Sequence, residues 1–364
     1  MVKKEAGRRL RAQRRVAAAG ADAALVTSPA NVRYLTGLVS SNAAVLVPAD
    51  GPAVLATDSR YAGAAERDCG GIELLISHSV EPALARAAAE RGVRTLAVET
   101  HEMTVERYQE LAALPDAPLL VPLGRVVEEL RMVKDETEIA QLARACAITD
   151  QAFGDILAAI TPGRTERELA VLLERAMVDR GAEAPAFGTI VASGPNGAIP
   201  HHVPGDRAFE PGDLITIDCG ARCGGYHADM TRTVALGHPE AWQRELYQLV
   251  ADAQRAGVAA ATPGAGIAAV DAAARDLIAA AGHGGHFQHG LGHGVGLEVH
   301  EAPIISSGGT GTLVDRVPVT VEPGIYLPGQ GGVRVEDTLV VREGSGATGS
   351  AELLTTTTRE LLVL

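Results

Sequence analysis

Residues 215–233 read ITIDCGARCGGYHADMTRT and decide how the second half of the chain folds. Residues 215–217 predict a buried strand, the glycines within residues 221–226 predict a tight return, and Met230–Ala235 predicts a second strand. Because strand residues of matching parity share a face, such a hairpin brings Asp218 and Asp229 to one place. Two carboxylates that share a core site are costly unless a proton or a cation lies between them. A turn aspartate plus a surface aspartate is the other interpretation, and this stretch alone leaves both open.

The whole-chain composition is typical of a two-domain globular enzyme. A length of 364 residues is too large for one ordinary core, and the chain is 46% hydrophobic and 21% charged. The net charge of -13 argues against a nucleic-acid partner or an anionic membrane surface. The sequence lacks a run of about 18 apolar residues, so we predict no membrane span.

The cysteines and the N-terminus favour a cytoplasmic protein. The four cysteines are scattered and form no zinc quartet; the pair Cys219-x-x-x-Cys223 leaves metal chelation as a weaker alternative to core packing. The basic, alanine-rich start imitates a signal peptide, but Asp22 interrupts the apolar run and several arginines precede it. We therefore expect an amphipathic first helix instead of an export signal.

Two domains are expected, residues 1–128 and residues 129–364. The first alternates helix-like and strand-like segments, which predicts an α/β layer, with SPANVRYLTG as a loop and a helix from Asp58. Predicted strands there are residues 23–27, 43–48, 52–57, 74–77 and 95–99, and residues 82–91 are a predicted helix. The second domain is predicted to contain helices over residues 126–160, 165–180, 239–260 and 267–281.

Chemistry-bearing residues concentrate after residue 200, where nine of the eleven histidines lie. The glycine spacing in residues 292–296 imitates a dinucleotide loop but lacks the preceding strand and the later acidic residue. Alternating apolar residues over 291–299 predict a packed strand there, in place of a disordered histidine tract that buffers metal. Glu322 ends an apolar strand. Glu336 lies inside a strand predicted over 333–341, with Arg334 on the same face. Both glutamates are informative because glutamate is rarely buried unpaired.

These side chains together predict a metal site. The set consists of four carboxylates and one imidazole: Asp218, Asp229, His293, Glu322 and Glu336. Oxygen-rich sites with one nitrogen suit Mn²⁺, Co²⁺ or Zn²⁺. Four carboxylates exceed the charge of one divalent ion, so we expect two ions about 3.5–4 Å apart and hydrolysis of an amide or ester without a covalent intermediate.

The motifs that carry these residues resemble the pita-bread metallopeptidases, and most of all their proline-specific branch, Xaa-Pro aminopeptidase and Xaa-Pro dipeptidase. They are DCGARCGGYHADMTRT from Asp218, HGLGHGVGLEVHEAP from His289, VEPGIY and GVRVEDT. In the first half, NVRYLTG and TDSRY resemble the creatinase-like N-terminal domain. The resemblance covers the full length. It implies an α/β creatinase-like N-terminal domain, an α+β pita-bread catalytic domain, and a homodimer.

The resemblance also implies a role for each motif residue. All five predicted metal ligands match the family's ligands, with Asp229 and Glu336 in the bridging positions and Glu322 serving also as general base. His201 matches the family's loop histidine and His300 the one beside the scissile carbonyl. His289 and Arg334 match positions that support the ligands, whereas His202 matches no known role.

The chemistry of an Xaa-Pro bond agrees with those roles. The leaving proline nitrogen must gain a proton, which we assign to His201, with a water-mediated route from Glu322 as the alternative. His300 is expected to stabilise the oxyanion. Arg334 is expected to hold Glu336 through a charge-assisted bond.

Related functions remain as alternatives. A binding module or a creatinase-like amidinohydrolase is disfavoured because all five ligands are intact, and a methionine aminopeptidase generally lacks the separate N-terminal domain. A strict dipeptidase must neutralise the proline carboxylate, for which many use an arginine just after H-E-x-P. Here Ile304 and Ile305 stand there. We therefore predict an Xaa-Pro aminopeptidase that uses Mn²⁺ on peptides with proline second; the alternative is an Xaa-Pro dipeptidase in which Arg316 or an N-terminal-domain residue substitutes.

Overall fold

The computed structural model describes residues 2–344 and 351–364, and its chain divides into two compact units, Met1–Arg131 and Met132–Leu364. Within the described residues, no helix combines the length and the apolar character needed to cross a membrane.

The first unit is a six-stranded mixed sheet with helices packed against it. The strands are β1 (Ala23–Val26), β2 (Ala43–Pro48), β3 (Val54–Thr57), β4 (Glu73–Ile76), β5 (Thr95–Val98) and β6 (Leu119–Pro122). The helices are α1 (Val2–Ala18), α2 (Pro29–Thr36), α3 (Ala62–Asp68), α4 (Val80–Glu90), α5 (Val105–Ala112) and α6 (Val126–Met132). The strand order is β4-β3-β2-β1-β5-β6, and the buried residues of the central strands pack against α4 to form the core.

Two segments of this unit differ from the sequence prediction. SPANVRYLTG forms a helix, α2, because Pro29 fits the first turn and Gly37, with φ of 83°, ends it in the left-handed region. The helix expected from Asp58 begins at Ala62. The Asp58 carboxylate instead accepts hydrogen bonds from Arg60 and Asn42, so it is not free to cap the helix.

The second unit combines four long helices with several small antiparallel sheets. The helices are α7 (Glu136–Ile156), α8 (Glu166–Asp179), α9 (Ala241–Ala260) and α10 (Ile267–Ala280). The strands are β7 (Ala184–Pro185), β8 (Ile190–Ser193), β9 (Leu214–Cys219), β10 (Ala221–Cys223), β11 (Tyr226–His227), β12 (Met230–Ala235), β13 (Gly292–Gly294), β14 (Glu301–Ile305), β15 (Pro318–Val321), β16 (Gly324–Leu327), β17 (Gly331–Arg334), β18 (Asp337–Val341) and β19 (Ala351–Leu353). The sheets run β11-β10-β7, β12-β9-β8, β14-β13-β15-β18-β19 and β16-β17.

The helix predicted over residues 126–160 is interrupted. It consists of α6 and α7, with a break before Asp135. The Asp135 carboxylate accepts from the backbone of Thr137 and Glu138, and the Glu138 side chain bonds back to Asp135 N, which is a capping box. That cap starts a new helix where the apolar pattern alone suggested continuity.

The predicted aspartate hairpin is present with a longer return. β9 and β12 pair antiparallel, with Thr231 opposite Asp218. Between them β10 and β11 form a second, smaller hairpin whose turn is Gly224-Gly225, both with positive φ. Asp218 and Asp229 therefore lie near the same end of the β9–β12 pair.

The glycine–histidine segment and the last predicted strand are each shorter than expected. β13 covers three residues and lies very close to its neighbours, which requires glycine: a Cβ on Gly292 would be 2.0 Å from Thr320 O, and one on Gly294 would be 2.1 Å from Ala302 O. The strand predicted over 333–341 is two strands, β17 pairing with β16 and β18 pairing with β15. Glu336 lies between them, in neither strand.

Candidate metal centre

A cavity of about 400 Å³ in the second unit contains every predicted site residue. Strand ends and connecting loops supply them: Asp218, Asp229, His201, His289, His293, His300, Glu322, Arg334 and Glu336. Phe187, Ile190, Val299 and Ile304 add an apolar part to the lining. Residues far apart in sequence are thus brought into one pocket, as the motif spacing predicts.

The centre of the cavity is a group of potential metal ligands. One ligand atom each from Asp229, His293 and Glu336 lies within 4.8 Å of the others. His293 Nε2 is 3.5 Å from Asp229 Oδ2 and 3.4 Å from Glu322 Oε1. His293 Nδ1 is 2.9 Å from Gly294 O, which assigns the ring proton to Nδ1 and leaves the Nε2 lone pair facing the carboxylates.

Two threonines that the sequence analysis missed hold these ligands. Thr231 Oγ1 donates to Glu336 Oε2 at 2.6 Å. Thr320 Oγ1 accepts from His293 N at 3.1 Å and donates to Glu322 Oε1 at 3.4 Å. Thr231 lies two residues from Asp229, and Thr320 lies two residues from Glu322. Because strand residues two apart share a face, this spacing could have predicted both threonines.

Arg334 contacts a different ligand from the predicted one. Its Nη2 donates to Asp218 Oδ2 at 2.8 Å, and its Nε donates to Thr231 Oγ1 at 3.0 Å. The expectation that Arg334 bonds Glu336 is therefore wrong for this structure. It assumed one continuous strand, whereas β17 ends at Arg334 and β18 begins at Asp337, so strand alternation does not relate the two residues.

Tyr326 joins the two supporting residues that the sequence analysis named. Its hydroxyl accepts from Arg334 Nη1 at 2.9 Å and lies 2.8 Å from His289 Nε2. His289 Nδ1 lies 2.8 Å from Gly290 O. Tyr326 is four residues after Glu322 in VEPGIY. The alternation of side chains along β16 was the sequence feature that could have predicted that Tyr326 faces the cavity.

The carboxylates of the cavity have strongly perturbed pKa values. Burial, followed by the charges of Glu336 and Asp218, raises the pKa of Asp229 well above its ordinary value. Burial and the charges of Glu322 and Asp218 do the same to the pKa of Glu336. Burial also raises the pKa of Glu322 to about 8, and it lowers the pKa of His293 to about 4, so that this imidazole is neutral.

This arrangement fits divalent metal ions. Asp218 Oδ1 is buried and has no hydrogen-bond partner among the described residues. The raised pKa values show that the protein's own cations do not balance the carboxylates. A bound divalent cation would do so, and carboxylate oxygens with one neutral imidazole are a donor set that such ions accept.

The two histidines predicted to act on substrate lie at the cavity wall. The ring of His300 is 4.4 Å from that of His293, in an edge-to-face arrangement, and His201 lies on the loop after β8. Beside His300, Glu301 forms a buried ion pair with Lys134 at 2.8 Å. Ile304, which is 55% exposed, borders the same cavity.

Comparisons with known proteins agree with this geometry. Residues 140–343 match metallopeptidase family M24, and residues 8–133 match the creatinase/prolidase N-terminal domain. An Xaa-Pro dipeptidase of Pyrococcus furiosus is 42% identical over 275 residues, which are 75% of this chain and 76% of that protein.

Solved structures are similar over nearly the whole chain. An Xaa-Pro dipeptidase from Bacillus anthracis has a TM-score of 0.93 at 36% identity, covering 99% of this chain and 100% of that one. An X-Pro aminopeptidase from Thermotoga maritima has a TM-score of 0.86 at 35% identity, covering 95% and 98%. The predicted family, fold class and enzyme class are confirmed. The chain belongs to metallopeptidase family M24, a divalent-metal enzyme family, with a creatinase-type N-terminal domain and the pita-bread catalytic fold.

Proposed function

We propose that this protein is a metal-dependent Xaa-Pro dipeptidase, which cleaves dipeptides whose second residue is proline. The observation that carries the proposal is the buried group Asp229, His293 and Glu336 inside a cavity that also contains the other predicted site residues. The similar proteins that carry the dipeptidase name support the substrate class.

The order of the two candidate activities is the reverse of the sequence prediction. The sequence alone favours the aminopeptidase, and the comparisons support the dipeptidase better. The aminopeptidase remains the second candidate because Ile304 lines the cavity at the position where an arginine would neutralise a proline carboxylate. Arg334, which also lines the cavity, is already bonded to Asp218 and Tyr326.

Five side chains are proposed to hold two divalent ions, with Mn²⁺ first and Co²⁺ or Zn²⁺ as alternatives. They are Asp218, Asp229, His293, Glu322 and Glu336, and the family resemblance suggests that Asp229 and Glu336 would be the shared carboxylates. When bound, such ions supply Lewis-acid polarisation of a carbonyl and lower the pKa of water. Arg334, with His289 through Tyr326, keeps the Asp218 carboxylate in place.

Three residues are proposed to act on the substrate. Glu322 takes a proton from the attacking water as a general base. His300 donates a hydrogen bond to the oxyanion; burial lowers its pKa, so it acts as a neutral imidazole N–H. His201 delivers a proton to the proline nitrogen, with a water-mediated route from Glu322 as the alternative.

Three broader features are also proposals. The domain boundary is placed at residues 128 and 129, close to the division after Arg131. A homodimer is proposed from the family resemblance. A cytoplasmic location is supported by the four cysteines, all buried and free of disulfide bonds.

The test is metal-reconstituted hydrolysis of Leu-Pro and Leu-Pro-Gly side by side, with Asp229→Ala as the control. We expect cleavage of Leu-Pro, lost in the variant. Cleavage of Leu-Pro-Gly alone would make the protein an aminopeptidase. Cleavage of neither peptide, with metal bound, would overturn the assigned substrate class.

A further inference from the structure

The loop that carries His201 is fastened by one buried carboxylate, Glu166, at the start of α8. Glu166 is fully buried. Its Oε1 accepts from Ser193 N and Ser193 Oγ, each at 2.8 Å, and from Asn196 Nδ2 at 2.9 Å. Its Oε2 accepts from Gly205 N at 3.1 Å and lies 2.7 Å from His202 Nε2. A single side chain therefore holds both ends of the segment 193–205.

The two adjacent histidines of this segment have different surroundings. His201 borders the cavity of the metal centre. The ring of His202 is bonded instead to Glu166, away from the cavity lining. An ionised carboxylate can only accept, so His202 Nε2 is the donor in this bond. Although burial opposes ionisation, the hydrogen bonds from Asn196, Ser193 and His202 keep the pKa of Glu166 below its ordinary value.

The segment is also tied to the metal centre on its other side. Pro200 O, directly before His201, accepts from Arg334 Nη1 at 3.2 Å, and Arg334 holds Asp218. The backbone at His201 is thus held between the arginine of the metal centre and the Glu166 carboxylate. Displacement of a catalytic group by about 1 Å is enough to lower a rate by roughly 10²-fold.

We propose that His202 is a positioning residue, which fixes the backbone at His201 through its bond to Glu166 and so places the His201 imidazole for its reaction with substrate. This inference rests on the proposed role of His201 in Xaa-Pro hydrolysis. It gives a role to a histidine whose side chain does not line the cavity.

The test compares four variants and one double variant of the metal-loaded, full-length protein. His202→Ala removes the bond, whereas His202→Gln keeps an N–H donor at a similar distance. His201→Ala sets the rate without the catalytic imidazole, and the double variant combines both alanines. Arg167→Gln is the matched control, because it breaks an exposed ion pair to Asp206 in the same region, 3.1 Å long.

The expected kinetic result on Leu-Pro or Leu-Pro-Gly, whichever the wild type cleaves, is a loss in kcat. His202→Ala lowers kcat roughly tenfold or more with KM nearly unchanged, and His202→Gln and Arg167→Gln stay within about threefold of wild type. The double variant equals His201→Ala within about twofold, since His202 acts only through His201. A His202→Ala rate equal to wild type, or multiplied losses in the double variant, would overturn the proposal.

A second readout does not depend on activity. Hydrogen exchange of the backbone amides in residues 196–205 is expected to become at least about threefold faster in His202→Ala, with metal content unchanged, and to stay at the wild-type rate in His202→Gln. Unchanged exchange in His202→Ala would contradict the positioning role. If the wild type cleaves neither peptide, the proposed function fails, while this measurement still decides whether His202 orders the loop.

Discussion

Glu336 and Asp337 are neighbours in sequence, both are buried, and their surroundings are opposite. Asp337 accepts from Arg232, Arg359, Gln254 and Thr355, and the two arginines lower its pKa although burial opposes this. Glu336 accepts a hydrogen bond from Thr231 and faces other carboxylates, which, with burial, raise its pKa.

The comparison separates a structural carboxylate from one that serves a ligand. A buried charge is tolerated when cations and hydrogen-bond donors of the protein satisfy it. Asp337 meets that condition within the chain, and it anchors the C-terminal residues: Arg232 donates to Thr357 O and Thr358 O. Glu336 does not meet it, so a proton or a bound cation has to balance its charge.

The largest effect is expected when glutamine replaces Glu336. Glu336→Gln removes a proposed bridging ligand, and we expect kcat/KM on an Xaa-Pro peptide to fall by roughly 10³-fold or more. The metal-free variant should be as stable as the metal-free wild type, since glutamine resembles the protonated form that the raised pKa favours. Metal content, activity and urea unfolding check this together. Activity within tenfold of wild type would remove Glu336 from the ligand set.

The same chemical change one residue later should instead reduce stability. Asp337→Asn leaves the buried Arg232 and the partly exposed Arg359 without their carboxylate, so we expect the free energy of unfolding of the metal-free protein to fall by about 3 kcal/mol. Urea unfolding with chelator present measures it. An effect as small as that of Glu336→Gln would mean that the two carboxylates do not differ in the way their contacts indicate.

The comparison also predicts a pH dependence for the metal-free protein. Glu322, with a pKa of about 8, and Asp229 and Glu336, with raised pKa values, bind more protons in the folded than in the unfolded chain. Folded stability therefore falls as pH rises through the folded pKa values, by up to about 1.4 kcal/mol per pH unit for each group.

The useful window for this measurement is pH 7 to 8.5. His289 and His293 have pKa values lowered to about 4, which makes stability rise with pH, but only below about 6.5, where the unfolded imidazole titrates. Asp337 contributes a constant term in this window, because its lowered pKa lies far beneath it. Unfolding in urea at several pH values with chelator should show a decline that Glu336→Gln makes shallower. A flat profile would contradict the unbalanced carboxylates.

Local sequence patterns predicted several strands and the residues that line one cavity. Met230–Ala235 is a strand with the predicted bounds, and the polar residues that end or follow apolar runs all reach one cavity. These predictions depend on the two-residue period of strands and on the rarity of buried carboxylates, both of which are local properties of the chain.

Contacts between residues far apart in the sequence could not be predicted from such patterns. Arg334 bonds Asp218, which is 116 residues away in sequence. Arg232 reaches the C-terminal segment, and Glu166 reaches His202. Each of these contacts depends on how helices and strands pack against one another. The local pattern around a charged residue does not show which residue it contacts. For the same reason, the sequence pattern did not show that arginines neutralise Asp337 whereas Glu336 faces other carboxylates.

The smallest effect tests how the arginine of the metal centre is held. Arg232 bonds the structural carboxylate Asp337, whereas Arg334 bonds a proposed ligand, Asp218, and the neutral hydroxyl of Tyr326. Tyr326→Phe leaves Arg334 Nη1 and His289 without that hydroxyl, so we expect a loss of about 1–2 kcal/mol in stability and roughly tenfold in metal affinity.

Tyr247→Phe is the matched control, since that buried hydroxyl donates to Arg359 O at 3.1 Å, outside the cavity lining. It should lower stability similarly without changing metal affinity, as metal titration would report. Equal metal affinities in the two variants would mean that Arg334 keeps Asp218 in place without help from Tyr326.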